Sequence, residues 1–354
     1  MARKRTIIIA LAVLALLAGA VLGGRMYYKA YQEDQFLTVP PEADGRDLLF
    51  RIEPGEIFTT IAKNLMAVGL ITDSGRFYKL AVKNGKGSSL RAGVFKLNTG
   101  WVPEKMLHEL TTSAGIMKKA SIREGLTWWQ TASRIQKSGL GKEETFTQVI
   151  NDRALLDKYG IQADSAEGYL FPETYMVTPP TGDQSAYMAE TMLKEFFRNA
   201  AKVWPDGLPE WKKMHDVVIL ASIVEKETGE ASERARISGV FHNRMKKRML
   251  LQTDPTIIYG LGPSFDGNLR KRHLQDKTNP YNTYTKRGLP PGPICSPGLD
   301  ALLAAIHPEE HEYIFFVAKG DGTHHFSKTL TEHNRAVRKY QLRRNRKTYR
   351  STKQ

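Results

Sequence analysis

The first 28 residues restrict the topology of this chain more than any other stretch. Residues 1–5, MARKR, precede an uncharged apolar run from Thr6 to Gly24. That run just reaches the length with which a helix crosses a bilayer, so we predict a transmembrane helix over residues 6–28. The basic residues before it place the N-terminus in the cytoplasm and export the rest of the chain. A cleaved signal peptide is the alternative, because Ala18-Gly19-Ala20 fits a cleavage site; it exports the chain as well.

The charge of the chain points to an anionic partner outside the cytoplasm. Its 354 residues carry a net charge of +15, which favours attraction to acidic lipid or an acidic polymer. Export argues against nucleic acid as that partner. Part of the excess lies in the basic tail, residues 341–354, which we expect to be poorly ordered. Cys295 is the single cysteine, so the chain forms no intrachain disulfide. It lies in a Pro/Gly-rich loop without a neighbouring base, which favours a packing role.

Two similar segments follow one another in the first half of the chain. After a polar segment interpreted as a linker, residues 29–47, LLFRI predicts a strand. A PG turn and an amphipathic helix that ends at Gly69 come next. The pattern returns seventy residues later in ASIREGLTWWQTASRIQKSGLG, where Gly125 aligns with Gly55 and Gly139 with Gly69. We predict two related strand–turn–helix units; convergence of turn chemistry is the alternative.

The first of these units resembles a LysM-like module, a small β-α-α-β domain that binds carbohydrate. The strand, the turn and the helix carry the resemblance, together with AGVFKLNTGWVPEKMLHEL after them. It implies a module over residues 48–117, and a plain α+β spacer is the alternative. Residues 118–340 are numerous enough for a second and larger α+β domain.

An apolar helix that ends on two carboxyl groups is the main candidate for chemistry. The pattern predicts a helix from Val217 to Lys226. Glu225 shares one face with the small side chains Ala221 and Ser222, which leave room for a ligand, whereas Glu227 lies beside bulky residues.

Poor hydration would give Glu225 the properties of a general acid. A desolvated carboxyl has a raised pKa and can stay protonated near neutral pH. Such a group can donate a proton to a glycosidic oxygen. The residues alone leave open a surface carboxylate that is ion-paired and inert. For Glu227 we expect a basic partner such as Arg234 or Arg236.

Six motifs in the chain together resemble one family. They are EGYLFPETY, ILASIVEKETG, LQTDPTIIYGLG, NPYNTY, GLPPGPICSPG and HHFSKTLTEHN. They resemble the endolytic murein transglycosylases of the YceG-like family, from about Ile52 to Tyr340. The resemblance implies a single-pass inner-membrane protein with a periplasmic catalytic domain. This domain would cleave MurNAc-β-1,4-GlcNAc bonds within nascent peptidoglycan strands, leave 1,6-anhydroMurNAc ends and need no cofactor. The family also suggests work alongside peptidoglycan synthases.

The resemblance also implies which residue is the catalyst. The family's catalytic glutamate is the first Glu of IVEKE, which is Glu225 in this chain. Glu225 would protonate the leaving oxygen and then, as a carboxylate, remove the proton from the muramyl 6-hydroxyl. That hydroxyl attacks C1 within the same molecule, which carries a large entropic advantage. Because no water is activated, the second carboxylate of a glycosidase is not required.

Seven further residues are candidates for contact with the glycan. They are Glu173, Ser222, Gln252, Asp254, Tyr281, Asn282 and Tyr284. Tyr281 and Tyr284 can stack on sugar faces or simply pack, and Asn282 could pair with an N-acetyl group. Asp254 is equally the expected N-cap of a helix that Pro255 begins.

Two other classes of function remain open. One is a zinc hydrolase, because His307-Pro308-Glu309-Glu310-His311 fits the H-x-x-E-H pattern. Its third ligand would be His324 or His325, and Pro308 would begin a helix that carries the first two. The other is a non-enzymatic wall-binding scaffold of two LysM-like units, for which Glu225 would be dispensable.

Overall fold

The computed structural model describes residues 2–179 and 182–342, without the side chains of residues 2–13, 15 and 342. Most of the predicted basic tail therefore lies outside the described residues. The chain divides into two compact units, Met1–Lys118 and Lys119–Gln354. Helices and strands are mixed in both units, so the α+β prediction is confirmed.

The first unit contains two strands and four helices among its described residues. In chain order they are α1 Ala2–Thr38, β1 Asp47–Ile52, α2 Phe58–Ala67, α3 Ser74–Lys83, β2 Gly93–Asn98 and α4 Pro103–Thr112.

The second unit is larger, and far more of its described residues lie in helices than in strands. Its elements are β3 Lys118–Ser121, α5 Trp128–Lys137, α6 Glu143–Ile150, α7 Arg153–Lys158, β4 Thr174–Val177, α8 Ser185–Val203, α9 Trp211–Glu227, α10 Arg234–Lys246, α11 Asp254–Leu261, α12 Lys271–Leu274, α13 Leu299–Ile306, β5 Phe315–Ala318, β6 His324–Ser327 and α14 Leu330–Val337.

Helix α1 covers both the predicted membrane segment and part of the predicted linker. Residues 29–38 continue the helix, and Phe36 is 3% exposed within the core of the first unit. A buried aromatic side chain at this point explains why the polar segment is ordered rather than a free linker. Among the described residues, no helix is both long enough and apolar enough to cross a membrane. The transmembrane helix stays a prediction.

The first unit has the β-α-α-β order that the sequence predicts for a LysM-like module. Strands β1 and β2 pair antiparallel, with Phe50 opposite Phe95. Helix α2 buries Ile61 and Leu65, one turn apart, which is the apolar stripe of a half-buried helix. This order is observed, whereas the likeness to a carbohydrate-binding LysM module stays a prediction.

Both predicted strand–turn–helix units are observed, and their turns share the same backbone geometry. Gly55 and Gly125 both have positive φ angles, +82° and +75°, and Gly69 and Gly139 have +78° and +67°. These left-handed positions favour glycine, which explains why the same residue recurs at equivalent turns. Gly69 and Gly139 follow the ends of their helices. In both copies the N–H of the next residue, Leu70 or Leu140, donates to the carbonyl five positions earlier. In the second unit this copy runs from β3, which pairs with β4, into α5.

Helix α9 lies at the centre of the second unit. It begins at Trp211, earlier than predicted, and each residue from Val218 to Val224 is buried. A helix that is apolar on all sides belongs inside a core; α8, α10, α11 and α13 surround this core. Glu225 lies at the point where the helix leaves the apolar core.

Candidate active site

Glu225 is a nearly buried carboxyl group at the C-terminal end of α9. Its side chain is 6% exposed. One oxygen, Oε2, accepts the backbone N–H of Gly298 at 3.0 Å. The other, Oε1, lies 3.6 Å from the guanidinium of Arg234. The carboxyl group is therefore held at both oxygens by groups from other parts of the chain.

These surroundings set the protonation of Glu225. Burial raises the pKa of its carboxyl above the ordinary value, and the negative charges of Glu124 and Asp300 add to the effect. The Gly298 N–H and the Arg234 charge oppose it. Desolvation is the largest cause, so the group holds its proton at higher pH than an exposed glutamate. This is the property that a general acid requires.

Arg234, the first residue of α10, forms ion pairs with three carboxylates. Its guanidinium lies 3.2 Å from Asp300, 3.6 Å from Glu124 and 3.6 Å from Glu225. Asp300 and Glu124 are largely exposed, whereas Arg234 and Glu225 are nearly buried. The arginine thus links the buried carboxyl to two acidic groups that face solvent. Arg234 lies beside Glu225 and Arg236 pairs with Glu309, so the predicted pairing of Glu227 with one of these arginines is wrong.

The turn of the second repeat forms one wall of the site. The Gly125 N–H donates to Ser296 O at 2.9 Å, and the Ser296 N–H donates to Leu126 O at 2.8 Å. Lys226 Nζ donates to Gly125 O at 3.3 Å. A Cβ built on Gly125 would lie 3.8 Å from Cγ of Glu225. This turn is therefore fastened to the GLPPGPICSPG loop and to α9 on either side of Glu225.

Gly298, the N-cap of α13, lies against the side chain of Glu124. A Cβ at this position would overlap the carboxylate of Glu124. The missing side chain lets Glu124 approach while the Gly298 N–H reaches Glu225. Five neighbours of Glu225 were not predicted as such from the sequence: Glu124, Gly125, Arg234, Gly298 and Asp300. Arg234 was expected beside Glu227 instead. The repeat marked Gly125, but no local pattern connects these five positions with Glu225.

Two predicted glycan contacts lie inside the protein. Ser222 is fully buried; its hydroxyl donates to Ile219 O at 2.7 Å and accepts the Ile294 N–H at 3.0 Å. Asn282 is also fully buried, and its amide donates to the carbonyls of residues 273, 274 and 276. Both side chains form hydrogen bonds with the protein's own backbone, and neither is accessible to a ligand.

Three other candidates lie together along one cleft. Gln252, Asp254 and Tyr284 line a cavity of about 570 Å³ that Glu227 also borders. The Tyr284 hydroxyl donates to Asp254 at 2.7 Å. Asp254 is the first residue of α11 and Thr253 is its N-cap, so the predicted capping role of Asp254 is wrong by one position.

Glu227 is a buried carboxyl on the cleft side of α9. It accepts a hydrogen bond from the Thr253 hydroxyl. Burial raises its pKa to about 7, which the Thr253 bond only partly offsets. A second buried acid thus lies two residues beyond Glu225, but its oxygen is bonded to a neutral hydroxyl rather than to an arginine.

The last two candidates lie elsewhere. Tyr281 borders a separate cleft of about 520 Å³ together with Glu167. Glu173 is exposed at the start of β4, where its carboxylate accepts the Thr174 N–H at 2.7 Å. The structure therefore brings Gln252, Asp254 and Tyr284 together and leaves Glu173 and Tyr281 outside that group.

Glu167 is a further buried acid, which was not predicted from the sequence. Its carboxylate accepts the N–H groups of Trp128 at 3.0 Å and Gly168 at 3.2 Å, and it also bonds Tyr259. Burial raises its pKa to about 7. The signal was its place directly before the apolar GYLF run, since a charged group beside such a run is desolvated unless it faces outward.

The zinc interpretation finds no support in the geometry. Helix α13 ends at Ile306, so His307 and His311 do not share a helix as predicted. His311 accepts the Tyr313 N–H at 3.1 Å with Nδ1, and its Nε2 bonds Arg236 O at 2.8 Å. Both ring nitrogens are therefore in use. Within residues 2–179 and 182–342, no group of three potential ligands is placed to hold a metal ion.

Comparisons with known proteins point to one family. The sequence profile of the YceG-like family matches residues 50–339. An endolytic murein transglycosylase of Bacillus subtilis is 33% identical over 90% of this chain and 91% of its own length. One from Streptococcus pneumoniae is 28% identical over 94% of this chain and 65% of its own. The crystal structure of a YceG-like protein of Listeria monocytogenes is 30% identical, with a TM-score of 0.55, and covers 82% of this chain and 99% of that one.

Proposed function

Because this chain belongs to the YceG-like family, we propose that it is an endolytic murein transglycosylase with Glu225 as its general acid and base. The assignment of Glu225 rests on one observation: its carboxyl group is nearly buried and forms an ion pair with Arg234 at 3.6 Å. The chain cleaves the glycosidic bond between MurNAc and GlcNAc within peptidoglycan strands. No observation favours the alternatives of a non-enzymatic wall-binding scaffold or a zinc hydrolase.

The first step uses the protonated form of Glu225. Desolvation raises the pKa of the carboxyl and so favours its protonated form. This form donates its proton to the glycosidic oxygen as the C1–O bond breaks. Positive charge develops on the muramyl ring in an oxocarbenium-like transition state. Glu124 and Asp300, the two exposed carboxylates that Arg234 holds in place, supply negative charge beside it.

The second step uses the carboxylate form. Glu225, now ionised, removes the proton from the muramyl 6-hydroxyl, and that oxygen forms the new bond to C1. Arg234 and the Gly298 N–H stabilise the carboxylate between the two steps. The attack is intramolecular and consumes no water, so the product carries a 1,6-anhydro ring.

The first unit supports binding of the same polymer. Its cleft of about 380 Å³ lies between the β1–α2 and α3–β2 connections, with Ile57 and Tyr78 exposed along it. Exposed apolar and aromatic side chains beside a cleft suit a sugar face. The LysM-like module thus holds the strand on which the second unit acts; glycan binding unchanged by Tyr78→Ala would argue against this role.

Residues 1–28 are proposed as an inner-membrane anchor, with the catalytic unit on the periplasmic side. The uncharged run from Thr6 to Gly24 and the basic residues before it support this placement. An enzyme held there would act on newly made strands beside the membrane and terminate their elongation, next to the synthases that make them.

The decisive experiment compares two substitutions on the same helix. Peptide-free glycan strands are incubated with wild type, Glu225→Gln and Glu227→Gln, and the products are analysed by mass spectrometry. We expect anhydromuramyl ends from wild type and from Glu227→Gln, and a loss of at least about 100-fold for Glu225→Gln. Glu227→Gln is the matched control, because it alters another buried carboxyl of α9. Reducing ends, or equal activity of all three proteins, would refute the assignment.

A further inference from the structure

Four aromatic side chains form a continuous row in the second unit. Trp128 and Trp129 begin α5, Tyr259 lies in α11, and Tyr281 follows in the NPYNTY segment. Successive ring centroids are 5.4, 5.1 and 4.8 Å apart. All four side chains are neither fully buried nor fully exposed. Rings of this kind combine an apolar surface with an edge that stays in contact with water.

Core packing accounts for only part of this row. Trp128, Tyr259 and Tyr281 pack against the large core of the second unit. Trp129 contacts the rings of Trp128 and Tyr259 and keeps part of its surface in solvent. An indole that packs on neighbouring rings and keeps part of its surface in solvent can offer that surface to a ligand, which suggests a role in binding.

The row begins beside the candidate catalyst. Gly125, which lies against Glu225, is four residues before Trp129. Four residues span at most about 14 Å, so the indole is within a few sugar rings of the reacting bond. Buried Glu167 fixes the row, because it accepts the Trp128 N–H and bonds Tyr259. At its far end Tyr281 opens onto the cleft of about 520 Å³.

We propose that the row Trp128–Trp129–Tyr259–Tyr281 is a glycan-binding subsite on which sugar rings of the strand stack next to the bond at Glu225. Pyranose rings present a face of C–H groups that packs on aromatic rings, and such contacts tolerate variation in the sugar's substituents. The uncharged row would hold the polysaccharide backbone rather than the acidic peptides attached to it. The inference rests on the proposed function, since it takes the same polymer as ligand.

A binding measurement separates this subsite from catalysis. Every protein carries Glu225→Gln, so that the strands stay intact, and peptide-free glycan strands are titrated into it by calorimetry. Adding Trp129→Ala should weaken binding about tenfold or more, which corresponds to about 1.4 kcal/mol. Trp129→Leu, which keeps apolar bulk without a π face, should weaken it as well, whereas Trp129→Phe should retain most of it. Tyr187→Ala on α8, 54% exposed, is the surface-aromatic control and should bind normally.

The outcomes of the two experiments are independent. Binding by Trp129→Ala and Trp129→Leu that equals the Glu225→Gln parent would overturn the subsite, even if wild type produces anhydromuramyl ends. Failure of wild type to cleave strands would overturn the proposed function, while the titration would still report whether the row binds glycan. Two variants of different bulk at residue 129 keep the result interpretable should one of them unfold.

Discussion

Three buried carboxyl groups of the second unit differ in what surrounds each of them. Glu167 is bonded by two backbone N–H groups and a tyrosine, Glu227 by a threonine hydroxyl, and Glu225 by one backbone N–H and an arginine. For each, burial is the largest cause of a raised pKa. The charges of Arg244 and Lys226 also lower the pKa values of Glu227 and Glu167. Of the three carboxyl groups, however, Glu225 is the one that forms an ion pair, with Arg234 at 3.6 Å, and this contact stabilises its ionised state. This difference favours Glu225 as the reacting group.

The raised pKa of Glu227 predicts how stability depends on pH. The folded pKa is about 7 against an ordinary value of 4.5, so the folded state binds the proton more tightly. Its contribution to the free energy of unfolding is therefore full below about pH 4.5 and is lost as the pH rises through 7. We expect the stability difference between wild type and Glu227→Gln to change by about 1–3 kcal/mol over this window, measured by urea unfolding at several pH values.

The comparison of two proteins is needed because other groups titrate in the same window. The pKa of His215 is lowered by burial, which acts on stability in the opposite direction; it is common to both proteins and cancels. The raised pKa values of Glu225 and Glu167 act in the same direction as that of Glu227, and they too are common to both proteins. A difference that stays constant from pH 4.5 to 8 would show that Glu227 is not protonated in the folded protein.

At the scale of elements, periodicity and turn chemistry predict single helices and turns, but they do not predict contacts between segments that are distant in the sequence. The apolar run predicted α9, and the paired glycines predicted the repeat, because each signal lies within one turn or one helix. Glu124, Arg234 and Gly298 come from three separate segments, and their meeting at Glu225 depends on how those segments pack. The burial of short polar side chains is hard to predict for the same reason. Nothing in the sequence around Ser222 or Asn282 shows whether the side chain faces a cleft or the core.

The repeat offers a matched pair of substitutions. Gly55 and Gly125 occupy equivalent turns, with φ angles of +82° and +75°. Alanine at either position should therefore destabilise the protein by about 1–2 kcal/mol. A Cβ on Gly55 meets nothing within 4 Å, whereas one on Gly125 meets the side chains of Lys226 and Glu225. The Gly125 contacts are ordinary van der Waals distances, 3.7 and 3.8 Å, so the effect of alanine comes from strain in a turn that is bonded to Ser296 and Lys226 beside Glu225. We expect Gly125→Ala to lower kcat roughly tenfold and Gly55→Ala to leave kcat unchanged.

Thermal unfolding and product formation, measured on the same preparations, test this pair. Equal loss of stability with unequal loss of kcat would support a positioning role for the Gly125 turn. If both variants keep full activity, the turn supports the fold alone, and Glu225 is positioned by Arg234 and Gly298.

The whole molecule combines two folded cores with one unusually exposed helix. The first core contains Phe36 at the end of α1. Farther towards the N-terminus the same helix exposes apolar side chains, with Leu16 74% and Leu22 62% accessible. An apolar surface of this extent is costly in water, and soluble proteins rarely leave one uncovered. A lipid environment around the first part of α1 would remove that cost, while the end of the helix stays packed in the first unit.

This continuity predicts that α1 limits where the enzyme works. Replacing residues 1–28 with a cleavable export signal should leave cleavage of purified wall intact, because the site residues near Glu225 all lie beyond residue 118. In cells, the released protein should complement loss of the enzyme poorly, since it would no longer be held beside newly made strands. An unrelated apolar anchor of equal length should restore function, because the prediction depends only on the position of the catalytic unit relative to the membrane. Full complementation by the released form would show that catalysis does not depend on membrane attachment, and the role of α1 would then be confined to the packing of Phe36.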